Sequence, residues 1–133
     1  MKLLKNLVVL ALISFLAIND ATASRIKFIE ISNLDQWEKF LFLAQENNLG
    51  ILVELCDENL PACDQMHRTT FRDRNLARYI NENFLSFIID GRSEFGNQFM
   101  ATFPVTAYPT YLFGSADEVF FEKIEGVVDA ELF

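Results

Sequence analysis

Both cysteines and the sole histidine of this 133-residue chain fall in one stretch, Val53 to His67. Cys56 and Cys63 are separated by six residues, Glu54 precedes the first of them by two, and His67 follows the second by four. Two sulfurs at that spacing close a disulfide if their α-carbons come within about 4.4–6.8 Å. Otherwise they are two buried thiols acting as small apolar groups. Asp57 and Glu58 beside Cys56 oppose a second negative charge on its sulfur, so a fast nucleophile is not what these neighbours favour. Cys56, Cys63 and His67 are also soft-metal ligand types with Asp64 as a fourth, but C-x6-C-x3-H is not a zinc spacing. No metal and no other cofactor is therefore assigned.

These side chains need elements to hold them. Ile51 to Cys56 is an apolar run broken by one acid, Glu54, which predicts a central strand buried on both faces. Asp57-Glu58-Asn59 predicts a turn. Pro61 suits the first turn of a helix, where its missing N–H costs little, and that helix carries Cys63, Met66 and His67 at spacings of three and four. Upstream, Arg25 to Ile31 predicts a strand. Ser32 is the expected cap of a helix whose apolar positions are Leu34, Trp37, Leu41 and Ala44. Downstream, Asp73 is the expected cap of a helix carrying Leu76, Ala77, Ile80 and Phe84, followed by a strand over 85–90. A turn and short helix with Phe95, Phe99 and Met100 come next. Tyr111 to Phe113 and Val119 to Phe121 then form an antiparallel hairpin. Asp129 is placed to cap a last helix of which only Ala130 to Phe133 remain. Strand, helical crossover, strand is an order that favours parallel, right-handed pairing.

The N-terminus is a separate matter. Lys2 and Lys5 precede an uncharged apolar run from Leu7 to Ile18, followed by Ala21-Thr22-Ala23. That order of basic, apolar and small residues is a cleavable secretory signal over 1–23, and the run is far shorter than the ~20 residues a spanning helix needs. The expected mature chain, 24–133, is the size of one domain, exported to the periplasm with no stable membrane anchor. Loss of two lysines and one aspartate takes the net charge from −8 to −9. Such an acidic balance excludes nucleic acid as a general electrostatic partner.

The element order resembles the thioredoxin fold: α/β, with a central mixed sheet that has a parallel βαβ half and an antiparallel C-terminal hairpin, flanked by helices. The residues that carry the resemblance are Val53-Glu54-Leu55 leading to Leu60-Pro61-Ala62-Cys63, similar to the family's buried acid and CxxC motif, and Val105 to Thr110, similar to its cis-proline segment. The C-terminal helix is short by comparison. Leu60 stands where the family has its attacking cysteine and Asn59 where it has tryptophan, while Cys63 matches the resolving cysteine. The resemblance implies that Glu54 assists proton transfer at Cys63, against the plainer reading of a salt-bridged acid. It also implies that Tyr108, Pro109 and Thr110 line the groove for an extended substrate, and that the partners are protein or peptide thiols and disulfides.

Two functions follow as expectations. One is thiol–disulfide exchange through a non-standard Cys56/Cys63 pair, with Cys56, Cys63 and Glu54 as catalytic residues. The other is a redox-inactive module of the same fold that binds an extended peptide or a protein partner.

Overall fold

The computed structural model describes residues 25–133; the signal segment read at 1–23 lies outside the described residues. The strands are β1 (Phe28–Glu30), β2 (Gly50–Cys56), β3 (Phe84–Asp90), β4 (Thr110–Gly114) and β5 (Phe120–Glu125). The helices are α1 (Leu34–Glu46), α2 (Pro61–Arg68), α3 (Arg74–Asn83) and α4 (Glu94–Thr102), with a 3-10 turn at Thr70–Arg72. The sheet order is β1-β3-β2-β4-β5. β3 lies parallel to both β1 and β2, and β4 is antiparallel to both β2 and β5, so the expected mixed sheet is present. Among the described residues no helix is long and apolar enough to cross a membrane.

The period of two along β2 divides the core. Ile51, Val53 and Leu55 pack with Trp37, Leu41 and Ala44 of α1 and with Phe95 and Phe99 of α4. Leu52 packs on the other face with Met66 of α2, Phe71, and Ala77 and Ile80 of α3. Glu54 and Cys56 alternate with Val53 and Leu55, which places them on the α2 face. Burial on both faces, expected for this strand, follows from helices on each side of a parallel pair.

Local chemistry moved several boundaries. The cap of α1 is Asn33, whose side chain accepts from the Gln36 amide, while Gln36 Oε1 accepts from Ser32 N at 2.9 Å. Gln36 can reach back across the first turn and Asp35 does not, so the reciprocal cap sits one residue later than the expected Ser32. Leu34 stands exposed at the first helical position, where nothing covers it, so the buried stripe starts at Trp37. β5 runs on to Glu125 because its register with β4 continues from Gly114–Phe120 to Thr110–Glu125, past the expected end at Phe121. Asp129 accepts from the Glu131 and Leu132 amides and caps a turn in place of the expected helix. Phe133 instead packs against Phe71, Tyr111 and Phe113, with ring centroids 4.9–5.4 Å apart.

Candidate functional site

β2 ends at Cys56, at the carboxyl edge of a parallel pair where sites in α/β sheets form. Asp57 then accepts from the Asn59 amide and side chain, and Leu60 N donates to Asp57 O at 2.9 Å, turning the chain into α2. Leu60 is the N-cap and Pro61 opens the helix, so Cys63 lies in its first turn. The turn brings the two α-carbons to 6.2 Å, and Cys56 and Cys63 are joined in a disulfide. Both are nearly covered, at 6% and 5% exposure.

The disulfide borders a cavity of about 320 Å³ whose wall also includes Glu54 and His67. Register explains the rest of that wall. Phe28 pairs with Ser86, so Glu30 and Ile88 share the Glu54 face, and Cys56 pairs with Asp90. Glu58 and Asp64 close the side toward α2.

Glu54 is 1% exposed in the middle of the sheet. Its Oε2 lies 2.7 Å from His67 Nε2, and its Oε1 accepts from the Tyr111 hydroxyl at 3.4 Å. Tyr111 is the residue paired with Glu54 across β2 and β4. His67 is thus half-buried and hydrogen-bonded to the buried acid. Neither partner of Glu54 was read as a site residue. For His67 the spacing of four from Cys63 was a usable signal; for Tyr111 only the strand register supplies one.

Burial pushes the Tyr111 phenol far above the ordinary tyrosine range, and the adjacent Glu54 charge and the hydrogen bond to it add to the effect. The unfolded chain ionises this group near pH ~10 while the folded chain keeps the proton. Its stabilising contribution is complete below that pH and is lost as pH rises further, with a slope of about 1.4 kcal/mol per pH unit. The urea midpoint should thus fall steeply in alkali, and more gently in Tyr111→Phe.

The other predicted residues sit apart from the cavity wall. The Tyr108–Pro109 peptide is cis. Leu55 pairs with Thr110, so the register carried one residue on sets Pro109 level with Cys56. Pro109 is buried, and Thr110 is buried with its hydroxyl donating to Ala107 O at 2.7 Å. Tyr108 packs over Gly91, where a Cβ would overlap its hydroxyl. Burial raises the Tyr108 phenol, and the charges of Asp57 and Asp90 add to this. Asp57 is held below the usual carboxylate range by the Asn59 amide, with Arg92 Nη1 at 3.8 Å contributing. It keeps a negative charge beside Cys56. Among the described residues no group of three His, Cys, Asp or Glu side chains is placed to hold a metal ion.

Comparison with known proteins agrees with this architecture. The chain is similar to a candidate disulphide-isomerase from Bacteroides thetaiotaomicron, at 25% identity over 84% of this chain and 89% of that one, with a TM-score of 0.71. It is also similar to a poplar thioredoxin h, at 19% identity over 77% and 86% of the two chains and a TM-score of 0.64. A thioredoxin from Nicotiana alata matches at 20% identity over 84% and 91%, with a TM-score of 0.62. No curated protein matches the chain by sequence. The thioredoxin-like domain family matches residues 39–133, most of the chain including both cysteines, and the chain belongs to that family.

Proposed function

We propose that this chain is an exported thiol–disulfide exchange protein in which Cys56, rather than a cysteine at position 60, partners Cys63. The observation that carries the reading is the Cys56–Cys63 disulfide, set at the carboxyl edge of β2 and opening on a cavity that contains a buried carboxylate. The basic, apolar and small-residue order of residues 1–23 supports export to the periplasm, a compartment where disulfides persist.

Exchange with a protein or peptide dithiol balances as follows. A partner thiolate attacks Sγ of Cys56, the Cys56–Cys63 bond breaks, and its electron pair goes to Sγ of Cys63. Cys63 is the better leaving sulfur, because the free amides and dipole of the α2 N-terminus stabilise a thiolate there. That sulfur takes a proton by way of Glu54. The partner's second thiolate then attacks the partner sulfur of the mixed disulfide. The electron pair of that bond goes to Sγ of Cys56, which takes a proton from solvent, so the partner departs oxidised by two electrons and Cys56 and Cys63 are left as thiols. The segment Tyr108, Pro109 and Thr110, level with Cys56, is the surface along which an extended partner backbone would lie.

A second reading, a redox-inactive module that binds an extended peptide, draws on Leu60, 38% exposed at the position of the family's attacking cysteine, and on the near-burial of both sulfurs. Incubating the native oxidised protein with a dithiol peptide separates the two. Exchange yields an oxidised peptide and two protein thiols; the module binds the peptide and leaves the protein disulfide intact.

A further inference from the structure

Glu54 is 1% exposed in the central strand, and it faces solvent by way of the cavity it shares with His67. The residue that touches it on the cavity side is His67, whose side chain is 35% exposed. One end of the imidazole is therefore against a buried carboxylate and the ring as a whole still meets solvent. The ring cannot swing freely, because Phe28 and Phe71 flank it with centroids at 5.1 Å each. Nε2 is held toward Glu54 Oε2 at 2.7 Å, a charge-assisted hydrogen-bond distance.

We propose that His67 is a positioning residue that relays protons between solvent and Glu54, which couples exchange at Cys56 and Cys63 to proton transfer through the Glu54–His67 pair. The relay deepens the exchange reading and rests on it. When the disulfide opens, the sulfur released from the bond takes a proton from Glu54. Glu54 takes one from His67 Nε2, and His67 takes one from water at its exposed face. Glu54 ends as it began, His67 ends as its other neutral tautomer and is reset by exchange of its ring protons with water, and one solvent proton ends on the thiol. Reoxidation runs the same path backward. Histidine is the side chain whose protonation changes around neutral pH, so it can both give and accept in this role.

The charged surroundings belong to the same account. Glu30 of β1, Asp90 of β3, Glu58 of the β2–α2 loop and Asp64 of α2 itself face the cavity with Glu54 of β2, and the Tyr111 hydroxyl of β4 reaches Glu54 from beyond it. Among the residues of that wall His67 is the sole base. Asp64 is engaged by Arg68 at 2.9 Å, which leaves the Glu54–His67 contact as the acid–imidazole hydrogen bond of the cavity itself.

The test is the rate at which dithiothreitol reduces the native disulfide, measured between about pH 5 and 9, in the wild-type protein, in His67→Gln and in Glu54→Gln. Glutamine keeps a donor toward Glu54 without titrating, so His67→Gln retains the contact and removes the relay. The wild-type profile should carry an inflection beyond the reagent's own thiol ionisation. His67→Gln should lose that inflection and run about 10-fold slower near neutral pH, below the ~100-fold or more that direct general acid–base catalysis supplies. Glu54→Gln should give the same flattened profile. A His67→Gln profile that overlays wild type overturns the relay and leaves exchange standing. A wild-type disulfide that dithiothreitol does not reduce until the protein unfolds overturns the exchange reading and the relay with it.

Discussion

Cys63→Ser should bring oxidation of a dithiol peptide down to the uncatalysed rate. Given the disulfide form of the peptide instead, the remaining Cys56 thiolate can attack one of its sulfurs and release the other as a thiol, and with no second protein sulfur to resolve the mixed disulfide the covalent complex should accumulate and be visible without reductant. Cys56→Ser should also be inactive and should trap far less, since its remaining thiol is the leaving sulfur at the α2 N-terminus and not the one that meets the partner. This asymmetry follows from the assignment of Cys56 as the sulfur that meets the partner. Equal trapping by the two variants would reverse that assignment. Loss of the bridge also opens an eight-residue loop, which costs about 2 kcal/mol of unfolding free energy on loop-closure grounds. That is a fraction of the roughly 5–15 kcal/mol of a typical domain. Both variants should therefore fold, and a circular-dichroism spectrum unchanged from wild type would show that the lost activity is chemical.

Trp37→Ala should produce the largest loss of stability of any single change considered, about 3–5 kcal/mol in urea unfolding. Trp37 lies between α1, the sheet and α4. Its ring meets Phe87 of β3 at 5.4 Å and Phe99 of α4 at 5.3 Å, both edge-on, and it is almost wholly covered. Its Nε1 donates to Glu118 Oε1 at 2.8 Å, which ties the helix to the β4–β5 turn. Alanine leaves a cavity among aromatic rings that cannot collapse into it. Trp37→Phe keeps most of the packing and loses the bond to Glu118, so it should cost about 1 kcal/mol beyond the small change in buried area. A Trp37→Ala midpoint close to wild type would mean that this side of the sheet is not packed as described.

The parts of the fold legible in the sequence were those set by local patterning. The apolar run of β2, the Asp73 cap and the helix opened by Pro61 all stand where their residue types put them, because alternation, capping and proline each act within a few residues. The turn that brings Cys56 and Cys63 together is also local, and a pairing of the two was a reading the spacing permitted. The partners of Glu54 were not legible. Its contact with Tyr111 spans 57 residues and depends on which strand lies beside β2 and in what register, while that with His67, 13 residues on, depends on how α2 lies across the sheet. No local pattern reports a register. The substitution of Asn33 for Ser32 as the cap of α1 was missed for a smaller reason: Ser, Asn and Asp cap about equally well, and the choice falls to whichever residue has its returning Gln or Glu at the right distance. The length of β5 was missed because alternation weakens on an edge strand, where Glu122 and Lys123 are both exposed and charged.

The central claim is that the Cys56–Cys63 pair opens and closes while the protein stays folded. Equilibrating the native protein in buffers of graded dithiol-to-disulfide ratio, trapping free thiols with an alkylating reagent and counting them by mass spectrometry measures this directly. The account predicts that both thiols emerge together in one two-electron transition, with the folded state retained throughout. A disulfide that stays closed across the whole series, and yields thiols only after denaturation, would contradict it and leave a structural bridge in a peptide-binding module.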